Sequence, residues 1–139
     1  MKEIWEEIKM DFEKETPVIV KNFHYDVNEE PETKDQVNFG LKKVEKQNDD
    51  GTTDAGVDGN YFDITIIFDV APAPGEFSIS GMISQIVQIK NYFGDGSDLS
   101  KADYKLLSRP LVEYIETLTY QVTQITLDKP VNLNFQANF

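Results

Sequence analysis

The feature that most constrains this chain is a ten-residue alternation at residues 61–70. Phe62, Ile64, Ile66, Phe68 and Val70 fall on one side, and Tyr61, Asp63, Thr65, Ile67 and Asp69 on the other. A period of two belongs to a β-strand, and a strand with one oily and one mixed face sits in an antiparallel sheet with one side covered and the other mostly wet. After a turn of alternating alanine and proline ending at Gly75, the residues Phe77, Ile79, Ile83, Val87 and Ile89 share one parity. They predict a long partner strand reaching to near Phe93, joined as an antiparallel hairpin.

Upstream, residues 18–27 are rich in β-branched and aromatic side chains and read as a strand. A further strand is expected over residues 36–47, where Val37, Phe39 and Leu41 alternate with Asn38, Gly40 and Lys42. Lys43 and Val44 break that alternation, which predicts a bulge or a strand end. Residues 48–60 form a long turn dense in Asp, Gly, Asn and Thr, with Val57 its single candidate for the core. Its aspartates Asp49, Asp50, Asp54 and Asp58 do not match the ligand spacing of a calcium loop from any start, so a solvated hairpin loop is expected.

Helices are expected at both ends. Ile4, Trp5, Ile8 and Phe12 recur at helical spacing over residues 3–12 until Thr16 and Pro17 interrupt, giving an N-terminal amphipathic segment (residues 1–17) ahead of one domain (residues 18–139). N-cap residues after Gly94 predict a short helix over residues 99–107, and Pro110 predicts the start of a second. From there Leu111, Ile115, Leu118, Val122 and Ile125 step by 4, 3, 4 and 3, an apolar seam that must be buried against the sheet. Past Pro130 the chain reads as extended, with Val131, Leu133, Phe135, Ala137 and Phe139 alternating with polar residues. Four strands followed by helices, without β–α–β alternation, make the class α+β.

Charge and composition narrow the chemistry. A formal net charge of −12 repels phosphate backbones and anionic lipid, so neither nucleic acid nor a membrane surface is an expected partner. With no cysteine and only His24, thiol chemistry and cysteine- or histidine-rich metal sites are excluded within one chain. No apolar run approaches the roughly 20 residues of a membrane helix, and residues 1–7 lack the pattern of a secretory signal, so a cytoplasmic protein is expected. His24 has no nucleophile partner in sequence. Asp63 and Asp69 stand six residues apart on one strand face, roughly 20 Å, too far for a carboxylate pair to act together. Neither a phosphate loop nor a cofactor fingerprint is present, so the chain is expected not to be an enzyme and to need no cofactor or metal.

The end of the chain resembles the SecB family of export chaperones. A helix entered at Pro110 leads to an extended tail, and Leu133 Asn134 Phe135 Gln136 Ala137 Asn138 Phe139 is similar to the V-N-F-D-A-L-F type of tail found there. Residues 61–71 also resemble the third strand of that fold. The resemblance implies a four-stranded antiparallel sheet with two C-terminal helices on one face. It further implies a homo-oligomer, dimer or tetramer, and apolar grooves that hold unfolded or extended polypeptide. Ser78 and Ser80 stand where that family has an acidic docking position, and the N-terminal segment has no counterpart there. These departures point to an uncharacterised SecB-like family rather than to SecB itself.

Two functions follow as expectations: a holdase for non-native polypeptides or preproteins, and an adaptor or scaffold that keeps the fold but binds a folded protein partner. Candidate interface residues are Tyr61 and Ile67 on the outer face of the third strand and Met82 and Ile86 on the minority parity of the fourth. Tyr114 and Tyr120, off the helical seam, and Trp5 in the N-terminal segment complete the set.

Overall fold

A computed structural model describes residues 10–27, 35–73 and 76–126. Trp5 and the tail from Val131 to Phe139 lie outside the described residues. In chain order come β1 (Phe12–Lys14), β2 (Ile19–Val27), β3 (Asp35–Val44), β4 (Tyr61–Ala73), β5 (Phe77–Ile89) and a single helix, α1 (Lys101–Thr126). Every described strand pairing is antiparallel. The class is α+β, as the alternation and the element order predict.

The sheet differs from the expected four strands in one respect. Its order is β1-β5-β4-β3, and β2 also pairs with β5. β1 covers Val87 to Ile89 and β2 covers Phe77 to Ser84, so the two lie end to end along one side of β5. The edge is one long strand broken at residues 15–18, where Pro17 donates no hydrogen bond. Thr16 repairs the break: its hydroxyl accepts from the Ile86 amide at 3.0 Å and its carbonyl from the Gln85 amide group at 3.0 Å. Phe12, expected at the end of a helix, therefore begins a strand opposite Ile89.

β4 and β5 behave as their alternation requires. Phe62, Ile64, Ile66, Phe68 and Val70 join Phe77, Ile79, Ile83, Val87 and Ile89 on the helix-facing side, and all ten are buried. Gly81 holds a special place in this layer. It pairs with Phe68 on one side and Phe23 on the other, and any side chain there would strike the Asn22 carbonyl. β3 pairs regularly with β4 and stops at Val44, the strand end that Lys43 and Val44 predict. Val57 is exposed, so the hairpin loop contributes no apolar side chain to the core.

The two expected helices are one. α1 runs through Pro110, although proline leaves the Leu106 carbonyl without its helical donor. Packing outweighs that loss, because Leu107, Leu111, Val112 and Ile115 around the proline are all buried. Ser100 and Asp103 begin the helix with reciprocal side-chain bonds to each other's amides, at 3.1 and 3.2 Å. The buried stripe also departs from the predicted seam. Thr119 and Thr123 are fully buried while Ile125 is 82% exposed. Helix and sheet meet along the row Leu107–Leu111–Ile115–Thr119–Thr123, which winds away from a 4-3-4-3 seam because four residues turn a helix about 40° past one revolution.

Candidate functional site

Three surfaces carry the residues of interest. The first is the sheet face turned away from α1. Ile67 (47% exposed) stands opposite the half-buried Met82, and half-buried Ile86 stands opposite Asp63. Three of the candidates thus come together. Ile19 (44% exposed) joins them opposite Ser84, a position the sequence alternation does not reveal. Straight alternation would place Ile19 with Phe23 and Tyr25 on the core side. A register shift between Val20 and Asn22 exchanges the faces and turns Ile19 outward. The patch lies between the acids Asp63 and Asp69 of β4.

Tyr61 does not belong to this surface. It is 7% exposed, with the Lys46 ammonium 5.5 Å from its ring centroid. Lys46 is paired with Glu15, and nearby Lys90 with Glu13 at 2.7 Å, so two ion pairs fasten the β1 end of the sheet beside this ring. Burial pushes the Tyr61 phenol above its ordinary value, and Asp54 adds to the shift. The Lys90 hydrogen bond holds Glu13 below its ordinary value.

The second surface is a groove of about 300 Å³ at the opposite edge, lined by Phe39, Leu41, Asp95, Gly96, Ser97 and Tyr104. Phe39 and Leu41 are two apart on β3 and share its helix-facing side. Tyr104, in the first turn of α1, tilts against Phe39 with centroids 5.3 Å apart and donates its hydroxyl to the Gly96 carbonyl at 2.9 Å. Gly96 has φ +94° and sits over Leu41, where a side chain would collide, so only glycine lets the loop close this wall. The Gly96 amide donates to the Tyr92 hydroxyl at 2.8 Å, and that hydroxyl donates to Asp98. Ser97 donates its hydroxyl and amide to Asp95, at 2.6 and 3.0 Å, and these bonds hold the Asp95 carboxyl below its ordinary range, with a smaller pull from Lys43. The result is an aromatic and aliphatic slot with a fixed negative charge at its rim.

The third surface is the outside of α1. Tyr114 and Tyr120 are 43% and 39% exposed, but six residues on one helix put them about 120° apart, so they form no common face. Tyr120 borders a shallow polar depression with Glu116, Thr117, Gln121 and Gln124. The groove was not legible in the sequence because it joins β3 to a loop more than fifty residues later. Its two halves were: the Phe39 and Leu41 alternation, and a Gly-Asp-Gly-Ser-Asp run shaped for a tight turn.

Among the described residues no three histidine, aspartate or glutamate side chains gather as a metal cluster. No helix among them is long and apolar enough to cross a membrane.

No curated protein matches the chain. Among solved structures, it is similar to a protein of unknown function from Streptococcus agalactiae at 27% identity and a TM-score of 0.77, over 92% of this chain and 100% of that one. It is also similar to a SecB-like chaperone from Mycobacterium tuberculosis, solved in complex with a peptide from an antitoxin. That match has 10% identity and a TM-score of 0.49, over 91% of this chain and 88% of that one. The model of a protein family of unknown function, DUF1149, matches residues 10–135, and the chain belongs to that family.

Proposed function

We propose that the protein is a non-enzymatic binder of extended, non-native polypeptide, a holdase acting in the cytoplasm without nucleotide. The observation that carries this reading is the groove beside β3. Phe39, Leu41 and Tyr104 offer an apolar slot of a size to take one large side chain, and Asp95 favours a basic neighbour on the same client. The resemblance of the C-terminal sequence to export chaperones supports the same class of client.

A second reading, an adaptor for a folded partner, is favoured by a different observation. The patch of Ile19, Ile67, Met82 and Ile86 gathers apolar side chains from three neighbouring strands on one sheet face, and a broad face of this kind suits a folded surface better than an extended chain.

The two readings separate in one experiment. A chemically unfolded test protein is diluted into a slight excess of this one, and light scattering follows its aggregation. The holdase reading expects slower aggregation than with an equally acidic control, weakened by Phe39→Ser and untouched by Ile67→Asp. Asp95→Asn should weaken binding of basic clients most at low salt. Aggregation at the control rate, with Ile67→Asp abolishing capture of a single folded partner, would give the adaptor reading.

A further inference from the structure

β1 is three residues long, against nine for β2 and thirteen each for β4 and β5. Residues 15–18 separate it from β2, and that break is tied to β5 without help from β1. The Glu15 and Thr16 amides donate to the Ile86 carbonyl at 2.9 and 3.2 Å, and the Thr16 hydroxyl and carbonyl accept from Ile86 and from buried Gln85. Residues 10–14 have a weaker hold. The Lys90 amide donates to the Asp11 carbonyl at 2.9 Å, Met10 and Phe12 pack half-buried against the core, and Glu13 pairs with Lys90. The Glu13 side chain is 65% exposed, and an ion pair open to water adds little. Parts of a fold open in the order in which they are held, which sets β1 ahead of the other described strands.

We propose that β1 is a displaceable strand: residues 10–14 swing out on the Thr16 tether, and the border of β5 at Val87 to Lys90 takes in their place an extended segment of another polypeptide, one with an aromatic residue followed by an acid. The vacated place dictates that chemistry. Phe12 leaves an apolar seat beside Ile89, which is otherwise buried, and Glu13 leaves the Lys90 ammonium without its carboxylate. An incoming strand with an aromatic and an acid at the same spacing restores both contacts, while main-chain bonds to β5 supply affinity whatever the rest of its sequence. A base in the second position would face the Lys90 ammonium instead. The site is separate from the groove beside β3 and does not depend on that reading.

Opening is read by amide exchange on the full chain. The Lys90 amide bonds to Asp11, whereas the Ile89 amide donates to the Asn60 carbonyl at 3.0 Å and owes nothing to β1. Corrected for intrinsic rates, Lys90 should exchange at least about tenfold faster than Ile89. Glu13→Gln should quicken Lys90 by about two- to fivefold and leave Ile89 unchanged. Equal exchange at the two amides would mean that β1 opens only with the whole sheet, and the proposal falls.

Binding is read by the anisotropy of a labelled synthetic copy of residues 10–16, in about 0.15 M salt so that the field of the whole acidic chain is screened. Phe12→Ser, whose own strand is released more often, should bind this peptide about tenfold more tightly than the parent does, and Glu13→Gln more tightly by a smaller factor. Thermal melts confirm that both variants fold. Peptides with serine for the aromatic, or lysine for the acid after it, should bind about tenfold more weakly. Phe39→Ser, in the groove, should leave the affinity unchanged. Absence of saturable binding to both variants, or a preference for the lysine peptide, overturns the proposal. Sedimentation tests the rival occupant, β1 of a second copy: a peptide that converts a larger species into a smaller one shows exchange between copies, and the proposal falls.

Discussion

The two halves of α1 hold to the sheet by different means. The first half buries Leu107, Leu111, Val112 and Ile115, and its start is tied down by the Ser100–Asp103 cap and the Tyr104 contacts. The second half buries Thr119 and Thr123, whose hydroxyls donate to the carbonyls of Ile115 and Thr119 in their own helix, at 2.9 and 2.7 Å. Those hydroxyls are satisfied without reaching the sheet. Removal from water is nearly free for them, yet a threonine offers much less apolar surface than a leucine. Among the described residues the first half therefore anchors the helix with fully buried aliphatic side chains, whereas the second sets buried threonines between the half-buried Leu118 and Val122.

That contrast is open to direct tests. The largest expected effect is at Leu111, where Leu111→Ala should lower stability by about 2 to 5 kcal/mol in a denaturant melt. A loss below about 1 kcal/mol would mean the first half is no anchor. Pro110→Ala restores the missing amide to the same stretch and should raise stability by about 1 to 3 kcal/mol, measured the same way. An unchanged melt would show that a kink at Pro110 is required for the fit.

Next comes alkaline pH. Burial, followed by the hydrogen bond to Asp98, pushes the Tyr92 phenol above its ordinary value of 10.0. An acid whose folded value is raised keeps its proton longer in the folded state. Its contribution is complete below pH 10 and is lost as pH rises through the folded value. Tyr92 packs against Phe62 with ring centroids 5.9 Å apart, beneath the loop leading to the first half of the helix. Melts above pH 10 should fall less steeply in Tyr92→Phe than in the parent, and an identical slope would remove Tyr92 as the cause. The smallest effect is expected at Thr119→Val, within about 1 kcal/mol of the parent, because the hydroxyl leaves together with its local bond. A loss of several kcal/mol there would make the second half an anchor as well.

Legibility in the sequence followed the range of the interactions. The pattern of β4 and β5 was readable because each strand is long enough to declare its own period. β1 was not, since three residues carry no period and its pairing with β5 spans more than seventy positions. Ile19 was missed for a subtler reason: one extra residue at Lys21 exchanges the faces on either side, and local propensity does not mark it. In α1, apolar spacing named Leu111 and Ile115 correctly but overlooked Thr119, because threonine is scored as polar even where its own helix absorbs the hydroxyl. Pro110 was given its local meaning, which the surrounding leucines override.

The break between β1 and β2 has a consequence for aggregation through the sheet edge. Fibres grow when every added molecule exposes a fresh and usable border. Among the described residues one border, β3, is unbroken, whereas the other is interrupted at residues 15–18 and again shifted in register at Lys21. A strand arriving at the interrupted border finds no straight template to continue on. The interrupted border thus works against open-ended growth from that side, and an acidic charge of −12 on each molecule opposes stacking.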